Sequence, residues 1–126
     1  MIIADTSVWI EYLKGNNDIT GLFIPYLRKD HIIASSAIFG ELLQGVRNKR
    51  ERNIITEFWI NLPKVDEHEL FIEAGQLSNR YKLYARGIGL IDCYILAAAL
   101  KYDYALWTLD KKLLDTIDML NNASFK

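Results

Sequence analysis

Cysteine is almost absent from these 126 residues: Cys93 stands alone. No intramolecular disulfide can form, and a single thiol suits a reducing compartment. Histidine is nearly as scarce. His31 and His68 are the only two, so the chain lacks a good histidine pair for metal-free acid–base cleavage, and neither lies close enough in sequence to activate Cys93, which reads as core. An excess of charge of one sign is missing too. Fifteen Lys and Arg against 16 Asp and Glu leave a formal net charge of −1. Such a chain exerts no global attraction on a polyanion, and any binding of one must rest on local clusters or metal ions. Long apolar runs are also lacking. The most apolar stretch, residues 90–100, carries Asp92 and is about half of the ~20 residues a membrane span needs. The apolar run at residues 2–4 is too short for a secretory signal and is broken by Asp5. The expected compartment is the cytoplasm, with no membrane partner. No Gly-rich lysine loop, internal repeat or low-complexity segment is present.

What the chain does have is 51% apolar and 25% charged residues, the balance of a globular protein. Its length suits a single domain, residues 1–126. Residues 2–4 are apolar on both faces and read as a buried central strand of a parallel sheet. Thr6 and Ser7 can cap a following helix to about Lys14, which Gly15 would stop. A second helix is expected to about Lys29, with Leu22, Phe23, Tyr26 and Leu27 on one side. Pro25 inside it predicts a kink or a late start. Residues 31–34 read as a second strand. Ser35 or Ser36 caps the next helix, with Ile38, Leu42, Leu43 and Val46 inward. A further helix carries Ile54, Ile55, Phe58 and Trp59. Residues 62–65 are a weak strand, confined by Pro63 to a start or an edge. A long helix, 67–85, follows Asp66 as its cap, with Phe71, Ala74, Leu77 and Tyr81 inward. Residues 91–102 form an apolar helix buried on most sides, 105–109 a strand, 111–119 a helix, and 121–126 a last short strand. This alternation predicts an α/β chain, a three-layer α/β/α arrangement around a mostly parallel sheet of four to five strands.

In such a sheet, strand C-termini and helix N-termini share the edge where ligands bind. Asp5 ends the first strand. Glu41 lies in the helix after the second, within roughly 8 Å of that edge at 1.5 Å per residue. Asp92 begins the helix that descends to the last strand, and Asp110 ends that strand. Four carboxylates from across the chain therefore converge. Each taken singly reads equally well as a cap or as an acid favoured by a helix dipole; Asp66, Glu67 and Glu69 read that way, as a solvated helix start. Together the four are harder to dismiss. No Lys or Arg lies within residues 2–9, 35–44 or 88–100, and a buried carboxylate costs several kcal/mol unless paired or metal-bound. A hard divalent cation, Mg²⁺ or Mn²⁺, is the natural counter-charge for an all-oxygen set. Beside a phosphodiester it would support metal-assisted hydrolysis.

Four stretches occur in order: Ile3-Ala4-Asp5-Thr6-Ser7-Val8-Trp9-Ile10, Glu41-Leu42-Leu43-Gln44-Gly45-Val46-Arg47, Gly89-Leu90-Ile91-Asp92-Cys93-Tyr94-Ile95-Leu96-Ala97-Ala98-Ala99 and Thr108-Leu109-Asp110-Lys111-Lys112-Leu113. Over nearly the whole chain they resemble PIN-domain ribonucleases of the VapC toxin type. The resemblance implies a PIN-like fold and a Mg²⁺- or Mn²⁺-dependent endoribonuclease. Asp5, Glu41, Asp92 and Asp110 would be its catalytic, metal-binding acids, and Thr6, Ser7 and Thr108 its supporting hydroxyls. It also implies a homodimer, a cognate antitoxin that blocks the site, and transfer or ribosomal RNA as substrate. The family often has an aromatic residue shortly after the last acid, where this chain has Leu113-Leu114. Asp115 therefore competes with Asp110 for the fourth place.

Basic residues flank these stretches. Arg47, Lys49, Arg50 and Arg52 follow the Glu41 helix, and Arg80, Lys82 and Arg86 precede Asp92. They read as solvated helix faces, as RNA phosphate contacts or as antitoxin-facing charges. Trp9, Tyr12, Trp59, Tyr94 and Trp107 read as core or interface. Other phosphate chemistries fit poorly. A receiver-type phosphoacceptor wants an adjacent acidic pair after the first strand and a lysine ending a late one; Thr6 and Ser7 follow Asp5, and Asp110 ends the late strand. A haloacid-dehalogenase-type phosphatase wants an Asp where Ser7 stands. A catalytically silent PIN-fold module that binds RNA or protein remains as the alternative.

Overall fold

Strand β1 (Ile2–Ala4) turns at Asp5 into helix α1 (Thr6–Leu13). Asp5 makes the turn itself. Its backbone is extended and its side chain accepts the Val8 amide, so it is the N-cap; Thr6, a cap by sequence, and Ser7 are already inside the helix. Asn16 caps α2 (Asn17–Arg28), Ser35 caps α3 (Ser36–Gln44) and Asn48 caps α4 (Lys49–Asn61). Pro25 lies within α2, which begins well before it rather than starting late. The helix expected over 67–85 is shorter: α5 runs Leu70–Tyr81, Lys82 is left-handed, and a 3₁₀ turn covers Leu83–Arg86. Then come α6 (Leu90–Tyr102), β2 (Ala105–Trp107) and α7 (Lys111–Ser124). This computed structural model describes residues 1–124.

β1 and β2 pair in parallel, with Ile2 opposite Ala105, Ile3 opposite Leu106 and Ala4 opposite Trp107. On the other side of β1 the chain makes single parallel bridges, Ile2 to Ile32 and Ala34 to Lys64. Four backbone bonds carry them: Ile2 N–H to His31 O (2.8 Å), Ile33 N–H to Ile2 O (2.9 Å), Ala34 N–H to Pro63 O (2.8 Å) and Val65 N–H to Ala34 O (3.0 Å). Among the described residues the expected four- to five-stranded sheet is thus a two-stranded one extended by isolated bridges. Residues 31–34 are squeezed between the left-handed Asp30 and the Ser35 cap, and Pro63 has no N–H to lengthen a ladder. The strand expected over 121–126 is absent from 121–124, which end α7; residues 125–126 lie outside the described part.

The helices pack as two sets, α1 with α2 and α3 and α3 with α4, then α5 and α7 against α6, and α3 against α6 joins the two. Trp9 centres the first, its ring edge-on to Phe23, Phe39 and Phe58 at 4.9–5.2 Å between centroids. Residues Cys93 to Ala99 of α6 are all buried, in line with its all-round apolar sequence. The inward faces are narrower than expected: Leu22, Tyr26, Leu43, Ile54 and Phe71 are exposed. No described helix is long and apolar enough to cross a membrane.

Candidate active site

The parallel pairing brings residues 5 and 108 side by side at the C-terminal edge of the sheet, where Asp5 N–H donates to Trp107 O at 3.0 Å. Asp5 is only 6% exposed, yet no Lys or Arg among the described residues forms an ion pair with it. Hydroxyls hold it instead. Ser7 Oγ donates to Oδ1 at 2.5 Å, Thr108 Oγ1 donates to Oδ2, and the Val8 amide donates to Oδ1 at 3.3 Å. Bonds of this charge-assisted kind are short and strong. Each hydroxyl is held in turn: Leu109 N–H donates to Ser7 Oγ (3.1 Å) and Asp110 N–H to Thr108 Oγ1 (3.0 Å). Thr6 serves a different acid. Its hydroxyl donates to Glu41 Oε1 at 2.7 Å, joining α1 to α3.

Asp110 begins α7, its Oδ1 accepting the amides of Lys112 (2.9 Å) and Leu113 (3.4 Å). Asp92 lies half-buried in the first turn of α6. Burial pushes its carboxyl above the usual carboxylate range; repulsion from Asp110, Glu41 and Asp5 pushes the same way, and Lys112 opposes them. One side chain therefore feels all three other acids. Asp115, exposed on α7, is not among the charges that shift it.

None of the four is paired with a Lys or Arg among the described residues. Nor do three or more Asp, Glu, His or Cys among those residues close into a group that holds a metal as they stand. The charges of Asp5, Glu41 and Asp110 all bear on Asp92. Such an unneutralised, all-oxygen set fits a hard divalent cation that keeps part of its water shell.

The basic candidates lie apart from the acids' hydrogen-bond network. Arg47 is tied to Glu51 at 3.2 Å, and Lys49, Arg50 and Arg86 are exposed. His68 is exposed beside Glu69, and the His31 ring lies against Tyr26. The Cys93 thiol is buried, and burial pushes it up. Sequence reasoning missed Glu67. It is no solvated helix start: its two oxygens accept the Ser36 amide at 2.6 Å and the Ser36 hydroxyl at 2.5 Å, and both residues act on the Tyr94 hydroxyl of α6. Glu67 thus ties the helix of Glu41 to the helix of Asp92. Its partner is 31 residues away, so no local spacing could have signalled it. Lys112 was missed as well, because nothing in its neighbourhood separates it from Lys111.

The family model described as "PIN domain" matches residues 2–118. Ribonuclease VapC32, from two strains of Mycobacterium tuberculosis, is 32% identical over 117 residues, covering 90% of this chain and 87% of the relative. A solved structure of FitAcB from Neisseria gonorrhoeae superposes with a TM-score of 0.64 at 20% identity, covering 94% of each chain; that likeness is one of fold. The chain belongs to the PIN-domain family, and within it to the VapC type.

Proposed function

We propose that this chain is a metal-dependent endoribonuclease, the toxin of a toxin–antitoxin pair, with Asp5, Glu41, Asp92 and Asp110 as its acidic centre. The observation that carries the reading is the convergence on Asp92, a half-buried carboxylate pressed by three others. Kinship with Ribonuclease VapC32 agrees with it. A Mg²⁺ or Mn²⁺ ion bound there would supply Lewis-acid polarisation of a phosphodiester and activation of water. The chain's own part is to hold the acids still. Ser7 and Thr108 fix the two oxygens of Asp5, Thr6 fixes Glu41, and the first turn of α7 fixes Asp110. Asp92 carries repulsion that a cation would relieve.

The VapC kinship also supports a cognate antitoxin and a homodimer. A groove of about 380 Å³ between α1, α3 and α4, with Ile10, Leu42, Val46 and Ile54 in its lining, opens beside Glu41 and is a place from which an antitoxin would reach the acids. Phe71 and Ile72 on α5, with Leu90 and Ile91 on α6, leave large apolar side chains in solvent, which suits a second copy. The test is cleavage of a mixed RNA pool by purified, antitoxin-free protein in Mg²⁺, Mn²⁺ or EDTA, beside Asp5→Asn and Asp92→Asn. Cation-dependent cutting lost in both variants, leaving 5′-phosphate and 3′-hydroxyl ends, is expected. Cutting that survives EDTA or both substitutions would overturn the centre. A silent binding module is the second reading, and RNA bound but uncut under either cation would establish it.

A further inference from the structure

Acids that attract a cation repel an RNA backbone, and a net charge of −1 supplies no long-range pull. A local cation has to offset that repulsion at the centre. Of the basic residues singled out by sequence, Arg47 is engaged by Glu51, Lys49 and Arg50 stand on α4, and Arg86 precedes Gly87 at the entry to α6; none of them is among the charges acting on Asp92. Lys112 is placed differently. It sits in the first turn of α7, and its amide donates to Asp110 Oδ1 at 2.9 Å. Its exposed side chain lies over the turn that leads into α6 and Asp92. A Cβ added to Gly87 would fall 3.0 Å from Lys112 Nζ and 4.0 Å from its Cε. With φ at +75°, Gly87 also has a backbone conformation that disfavours other residues. The glycine thus makes both the turn and the seat for the ammonium. No carboxylate among the described residues closes an ion pair on Lys112.

We propose that Lys112 is a phosphate-binding residue of the acidic centre, its ammonium, seated over Gly87 at the entry to α6, taking a backbone phosphate of single-stranded RNA. This rests on the ribonuclease reading above. A lysine suits the task as a point charge on a flexible stem. Among the charges acting on Asp92, Lys112 is the cation. That agrees with its position and defines the competing role, an internal counter-charge that never touches RNA.

Fluorescence anisotropy of a labelled, mixed-sequence single-stranded RNA, bound in EDTA so that nothing is cut, separates the two. On single strands one phosphate contact contributes about 0.7 to the slope of log K against log salt, or about fourfold in affinity at 0.15 M relative to 1 M. Lys112→Met should lower the slope by about 0.7 and weaken binding about fourfold at 0.15 M salt. Lys112→Gln, a second neutral variant, should match it, and Lys112→Arg should keep the wild-type slope. Arg28→Met, at the far end of α2, should change nothing. A wild-type slope in Lys112→Met, or an equal loss in Lys112→Arg, overturns the assignment while leaving RNA binding intact. A wild type that neither binds nor cuts RNA overturns the ribonuclease reading along with it.

Discussion

Asp92 is the residue at which the proposed chemistry and stability pull in opposite directions. Its carboxyl is raised in the folded chain by burial and by its acidic neighbours. Between the ordinary Asp value of about 3.9 and the raised folded value, the folded state holds the proton more tightly than the unfolded state. Stability therefore falls as pH rises through that window, and the penalty is complete above it. Asp92→Asn removes the penalty. Calorimetry should find a higher Tm than wild type at neutral pH, a gap that closes as pH falls towards about 4, while RNA cleavage is lost. Mg²⁺ should raise the Tm of the wild type more than that of the variant. Thr108 is a second such test. Thr108→Val strips a donor from Asp5 and an acceptor from the Asp110 amide, and a Mn²⁺ titration should show affinity or activity reduced by about 10–100-fold. At this scale the sequence was informative where an acid interrupts an apolar run, as Asp5 and Asp92 do. It was silent where the partner lies far along the chain: Ser36 for Glu67, Gly87 for Lys112 and Glu41 for Thr6.

Elements are held by side chains from other elements as much as by their own propensities. The N-terminus of α3 is served by Ser35 from within and by Glu67 from across the loop before α5. Glu67→Ala should therefore behave like loss of a helix cap, costing about 1 kcal/mol in urea unfolding, and should lower cleavage by loosening Glu41 against Asp92. Glu67→Gln, which keeps an acceptor, should recover most of both. Most helix positions were legible from caps and periodicity, and α6 from its unbroken apolar run; α5 was not, since Asp66 does not cap it and it starts only at Leu70, after the left-handed Glu69. Strand extent was not. A three-residue strand can be flanked by a chain that makes one bridge and leaves, and Pro63 and the left-handed Asp30 decide that locally. Periodicity also marked Phe71 as inward. An apolar position on a helix looks the same in sequence whether it meets the chain's own core or stays in solvent.

At the scale of the whole molecule the rings of Trp9, Phe23, Phe58 and Trp107 draw α1, α2, α4 and β2 into one cluster. Loss of that cluster and loss of helix should be the same event. Thermal melts followed by tryptophan fluorescence and by far-ultraviolet dichroism should coincide; separated midpoints would show that the α5–α6–α7 set unfolds by itself. The parallel topology was legible from the alternation of apolar runs and helical periodicity, and it alone placed Asp5 and Asp110 on one edge.

The bond between Thr108 and Asp5 spans 103 residues of chain. A centre closed over that distance cannot exist on a partly synthesised polypeptide: while Asp5 has already left the ribosome, the hydroxyl that orients it and the acid beside it have not been made. Contacts so remote in sequence also form late in folding. Until residue 108 has been added, neither the second strand nor this donor to Asp5 exists, so the edge that gathers the acids appears in one step, with the pairing of β1 and β2, rather than by stages as the chain grows.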